Sequence, residues 1–107
     1  MAESSYQASL LSAEEVARLP GLTLLDFGVD WCPHCQAAQG PIAAALGDTG
    51  INRIQVEDGK GRPLGRSFGV KLWPTLVFLK DGQEVGRVVR PVDPGPVAEV
   101  VSRLISS

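Results

Sequence analysis

The stretch LTLLDFGV, Leu22 to Val29, is apolar on both faces, and Asp26 is its one charged residue. A strand with that pattern belongs in the middle of a sheet, because both of its faces must be covered. Helices packed above and below such a strand make an α/β layer architecture. The chain has 107 residues, which suggests one domain spanning 1–107. At that size the fold buries somewhat less than ~68% of the unfolded surface, enough for one modest core.

Helix and strand signals alternate on either side of this strand. In LSAEEVARL, Ser12 and Glu15 form a capping box, with Leu11 and Val16 placed for a hydrophobic staple. Pro20-Gly21 stops that short helix. PHCQAAQGPIAAAL reads as a helix to about Leu46, kinked rather than ended at Gly40-Pro41. Gly47 to Gly50 is a loop, and INRIQVE, Ile51 to Glu57, is a second alternating strand. DGKGRPLGRSFGV is a glycine-rich loop with at most one short helix near Leu64 to Phe68. TLVFLK and EVGRVVR flank Asp81-Gly82, a strong hairpin signal. Asp93-Pro94 then opens a last helix with one apolar stripe through Val97, Val100, Val101, Leu104 and Ile105. The expected sheet is mixed: parallel where a helix crosses over, antiparallel at the hairpin.

Directly after the central strand comes WCPHC, which holds both cysteines and the only histidine. Three uses compete for Cys32 and Cys35. A structural zinc needs four ligands, and His34 in the same short loop leaves the set incomplete, with no second Cys or His pair elsewhere. No metal is therefore expected. A passive disulfide closing so small a ring removes little chain entropy and stabilises weakly. The redox reading fits better. Cys-x-x-Cys between a strand and a helix puts Cys32 where unpaired backbone N–H groups favour negative charge. Pro33 suits the first helical turn because it lacks an N–H. The thiolate is the nucleophile, and Cys35, one turn further on, is close enough to attack a mixed disulfide.

LLDFGVDWCPHC followed by LWPTLVFLKDGQEV resembles the thioredoxin family in order and spacing over nearly the whole chain. The resemblance implies a thioredoxin fold, with Cys32 attacking and Cys35 resolving. It also implies a cis-proline at Pro74 beside them, in Trp73-Pro74-Thr75. A proline there leaves the Trp73 backbone free to pair with an extended substrate. Asp26 falls on the family's buried aspartate. Burial raises a carboxyl pKa, and such a group can take or give the Cys35 proton. The family often pairs this acid with a lysine from the next strand. An ungapped count places Gln55 there, so the charged partner is expected to be absent.

Three departures stand out. Pro33-His34 between the cysteines is the pair found in DsbA-type oxidants, rather than Gly-Pro. A donor or partial positive charge from His34 would favour the Cys32 thiolate and make the pair more oxidising. Gly28 stands where the family usually has Trp, which is expected to loosen packing at the site. Arg90, followed by Pro91, stands where the family has glycine. It either narrows the groove, or selects acidic partners and favours the thiolate. Trp31 and Trp73 are the expected apolar walls.

The net charge of −2 gives no basic field, which argues against nucleic acid as a partner. No apolar run approaches the ~20 residues of a membrane span. The start, MAESSYQASLLSAEE, does not look like a secretory signal, so a cytoplasmic location is expected. A mature secreted form with an added Met is the alternative. The resulting expectation is a monomeric protein-disulfide reductase with no cofactor beyond its own Cys32–Cys35 disulfide. It would act on disulfide-bearing proteins and draw electrons from a thioredoxin reductase or glutathione. Rival readings are a thioredoxin-fold binding module with dispensable thiols, or an exported oxidase.

Overall fold

The computed structural model describes residues 6–7, 11–47 and 49–106. In chain order they form α1 (Ala13–Val16), β1 (Leu22–Gly28), α2 (Pro33–Leu46), β2 (Asn52–Glu57), α3 (Pro63–Ser67), β3 (Thr75–Lys80), β4 (Gln83–Val89) and α4 (Gly95–Ser106). The strands lie in the order β2-β1-β3-β4, so the doubly apolar strand is central. This is the mixed α/β sheet flanked by helices that the resemblance implies.

Strand direction departs from expectation once. β1 and β2 are parallel across α2, but β3 runs antiparallel to β1 although α3 lies between β2 and β3. Five residues of helix span about 7.5 Å, against about 20 Å for a six-residue strand. The connection therefore stays at one end of the sheet and β3 returns from there. Gln7 adds a bridge outside β2, with its N–H on the Gln55 carbonyl and its carbonyl accepting from Glu57.

Alternation along β1 divides the core between two faces. Leu24 packs with Ala38 and Ile42 of α2 and Val97 and Leu104 of α4. Leu25 and Phe27 pack on the opposite face with Val16 of α1 and Leu64 of α3. Asp26 and Gly28 share the Leu24 side, which turns both toward α2. The α2 residues Cys35, Ala38, Ile42 and Leu46 are buried along one stripe, and the helix continues through Pro41.

The local signals are realised as built. The Ser12 hydroxyl accepts from the Glu15 N–H at 3.1 Å, and the Glu15 carboxylate accepts from the Ser12 N–H at 2.9 Å. The Asp93 carboxylate caps α4 through the Gly95 N–H at 2.8 Å. Asp81 and Gly82 have φ of 50° and 82°, the two positive values that a type I′ hairpin turn requires. A Cβ on Gly82 would be built into the Ala17 backbone. Gly82→Ala is therefore expected to lower the unfolding free energy by about 2 kcal/mol, read as an earlier midpoint in a urea titration.

Candidate active site

Cys32 is the N-cap of α2 and Pro33 its first residue. A proline at that position has no N–H to leave unbonded, so the helix starts cleanly beside Cys32. Both cysteines are free thiols, and both are buried, Cys32 6% and Cys35 1% exposed. Burial raises the Cys32 pKa. The Cys35 N–H, the Cys35 thiol, the His34 N–H and the Arg90 charge outweigh it and hold Cys32 below its ordinary value. Cys35 moves the other way. Burial, its hydrogen bond to Cys32 and the negative charges of Cys32 and Asp26 push it up to about 12. The surroundings thus favour the anion at Cys32 more than at a free thiol and disfavour it at Cys35. The His34 backbone faces Cys32, while its imidazole is exposed.

Asp26 is fully buried on β1. Burial pushes its carboxyl above the usual carboxylate range, against the opposing pull of Arg53 and the Tyr6 hydroxyl. The expectation that Asp26 lacks a charged partner is overturned: Arg53 Nη2 lies 2.8 Å from Asp26 Oδ2. The ungapped count selected Gln55, the register neighbour of Asp26. Arg53, two residues earlier, projects from the same face of β2, and its long side chain covers the offset. Arg53 also donates to Gln39 of α2.

The expected loose packing at Gly28 is not found either. A Cβ there would lie 2.6 Å from Cys35 Sγ and 2.9 Å from Tyr6 Cζ, so the space is already occupied. Tyr6 is 4% exposed and packs with Val29, Cys32 and Cys35. Its hydroxyl donates to Asp26 Oδ1 at 2.8 Å. The polar composition of the first residues concealed this. The one available signal was an aromatic residue lying upstream of a site that lacks its usual ring.

Of the remaining expected site residues, Trp73 packs against the cluster that holds Cys32. The Trp73-Pro74 peptide is cis. Trp73 is half-buried, with its indole N–H on Asp58 at 2.7 Å. Trp31 is 72% exposed and meets Trp73 edge to face at 5.8 Å. Pro91 is buried. Thr75 is buried as well, and its hydroxyl donates to the Leu72 carbonyl at 2.6 Å, so it braces the loop from inside. Arg90 has φ of 51°, a left-handed conformation in which glycine is least strained. Its N–H donates to the Pro74 carbonyl at 2.9 Å and its Nε to the Trp73 carbonyl at 2.8 Å. Among the described residues no group of three or more His, Cys, Asp or Glu could hold a metal ion.

This geometry can be set beside known proteins. A family model described as Thioredoxin matches residues 5–102. The chain belongs to the thioredoxin family. The thioredoxin of Chlamydia muridarum is 35% identical over 86 residues, covering 78% of this chain and 82% of that one. The thioredoxin of Rhodospirillum rubrum is 34% identical over 74 residues, covering 65% and 69%. The structure of thioredoxin 2 from Pseudomonas aeruginosa PAO1 in its reduced form superposes with a TM-score of 0.86. It is 49% identical and covers 98% of both chains. As a member of the thioredoxin family the protein is a thiol–disulfide oxidoreductase. Among the described residues no helix is long and apolar enough to cross a membrane.

Proposed function

We propose that Cys32 and Cys35 reduce disulfides in protein substrates by two successive exchanges. The Cys32 thiolate attacks a substrate S–S bond, one substrate sulfur leaves as a thiol, and the other is held to Cys32 as a mixed disulfide. Cys35 then gives up its proton, attacks the Cys32 sulfur and releases the second substrate thiol. The protein ends as the Cys32–Cys35 disulfide, two electrons poorer. Asp26 takes the Cys35 proton. The observation that carries this reading is the placement of two free, buried thiols at a helix N-terminus, Cys32 as the N-cap of α2 and Cys35 in its first turn, surroundings that lower the first thiol and raise the second.

Trp31, Trp73, Pro74 and Pro91 form the groove for the substrate chain, with Thr75 holding the loop that carries it. Pro33 and His34 make the couple more oxidising than ordinary thioredoxin. Pro33 leaves the His34 and Cys35 N–H groups for the sulfur, and stabilising the thiolate stabilises the reduced form. A gain of 2–3 kcal/mol corresponds to roughly 45–65 mV above the thioredoxin potential of about −270 mV. The partners are disulfide-bearing proteins in the cytoplasm, with thioredoxin reductase or glutathione supplying electrons to a monomer.

An insulin-reduction assay combined with a pH titration of Cys32 alkylation tests the reading. Turnover and a midpoint clearly below about 8.5 are expected. Absence of turnover in every redox buffer defeats the reductase, and a midpoint at the free-thiol value defeats the helix-terminus argument. Arg90 favours one rival. Its guanidinium occupies the Trp73 carbonyl that an added substrate strand would use, as in a binding module with dispensable thiols. A partner that binds equally well after Cys32→Ala would establish that alternative.

A further inference from the structure

We propose that Tyr6, carried in from the N-terminal segment, is a positioning residue of the exchange reaction. It holds the Asp26 carboxyl for Cys35 and fills the space that Gly28 leaves beside that sulfur. The inference rests on the proposed roles of Cys35 and Asp26.

Hydrogen-bond directions in the cluster follow from what each group can do. Arginine only donates, so the Gln39 atom that meets Arg53 is the carbonyl oxygen, and the other amide atom is NH2. That NH2 donates to the Tyr6 hydroxyl at 3.2 Å and to the Cys35 carbonyl at 2.7 Å. The Tyr6 oxygen therefore accepts from Gln39 and directs its own proton at Asp26 Oδ1, while Arg53 serves Oδ2. Burial and the Asp26 charge push the Tyr6 phenol up, so it remains a donor across the physiological range. Both oxygens of Asp26 thus receive donors, an arrangement suited to the charged carboxylate. The charge that the carboxyl needs as a base is favoured from the N-terminal segment and from β2, against the cost of burial.

The same residue makes the steric contact. Cys35 Sγ and Tyr6 Cζ both lie within 3 Å of the point where a Gly28 Cβ would stand. The Tyr6 ring is therefore a near neighbour of the resolving sulfur while its hydroxyl reaches the acid. The segment is anchored on either side of the ring. The Tyr6 N–H donates to the Asp30 carboxylate at 3.0 Å, and Gln7 is bonded to β2. Gly28 and Tyr6 form a complementary pair, since a large side chain at 28 would expel the ring.

Tyr6→Phe keeps the ring and removes the hydroxyl. The titratable and charged groups facing Asp26 are then Arg53 from β2 and Cys35 from α2, with Asp30 at the Tyr6 backbone. One donor to the carboxylate is lost, so the midpoint of the resolving step should move up by about one pH unit. At neutral pH the mixed disulfide on Cys32 should persist about threefold to tenfold longer, followed by rapid-quench mass spectrometry. In an Asp26→Asn background Tyr6→Phe should add little, because it acts through Asp26. An unchanged midpoint and lifetime, or an equal slowing in the Asp26→Asn background, overturns the proposal. Failure of the unsubstituted protein to form a mixed disulfide overturns instead the reading on which it rests.

Discussion

Cys35→Ser should leave the protein joined to its substrate. Cys32 keeps its place at the N-cap of α2 and the N–H groups of His34 and Cys35, so the first exchange proceeds. Serine also keeps a donor where the Cys35 thiol supports the Cys32 thiolate. What is lost is the second nucleophile, since an alcohol does not displace a thiolate from sulfur at neutral pH. The mixed disulfide should then outlive that of the unsubstituted protein by on the order of a hundredfold or more, released only by external thiols. Intact-mass measurement after mixing with oxidised insulin, without reductant, reads the adduct. A wild-type lifetime in Cys35→Ser would remove Cys35 from the reaction. Cys32→Ser should form no adduct at all.

Asp26→Asn should make the protein more stable and slower. Burial sets the Asp26 pKa above its value in the unfolded chain, despite Arg53 and Tyr6. The folded protein therefore holds this proton more tightly than the unfolded chain does. Stability is lost as pH rises from the unfolded value of about 3.9 through the folded one, and stays lost above it. Asparagine removes that ionisation and, like the protonated carboxyl, keeps one oxygen that accepts from Tyr6 or from Arg53 while its other terminal atom donates. The gain should be present at pH 8 and close to zero near pH 4, measured as urea unfolding at both values. The same change removes the acceptor proposed for the Cys35 proton, so the mixed disulfide should resolve about tenfold or more slowly. A gain that is the same at pH 4 and pH 8 would mean that charge burial is not its origin. Unimpaired resolution would take Asp26 out of the mechanism. Together the two readouts say whether a buried acid is kept here at a cost in stability for its role in exchange.

Much of this was legible in order along the chain because its causes are local. Ser12-x-x-Glu15 satisfies its own backbone donors within four residues. Asp81-Gly82 has the left-handed backbone that its hairpin needs. LTLLDFGV could be placed centrally because both its faces are apolar, and WCPHC could be placed at a helix start because Pro33 tolerates only a few positions there. Family likeness added Pro74 and Asp26, whose importance lies in what they stand next to.

The rest was decided by contacts between segments far apart in sequence. Arg53 reaches Asp26 across 27 residues, Tyr6 across 20, and Gln39 ties both of them to the helix that carries Cys35. No spacing rule encodes such meetings, because they depend on register between β1 and β2 and on where the N-terminal segment lands. Counting residues selected Gln55 over Arg53 because a count sees backbone position, whereas a long side chain spans a pleat. The empty place at Gly28 looked like lost packing because the ring that fills it arrives from the start of the chain. Short-range pattern thus settled which segments are strands, helices and turns and which sulfur sits at a helix end. Only folding in three dimensions chose the partners of the buried acid, since burial and electrostatics act through space.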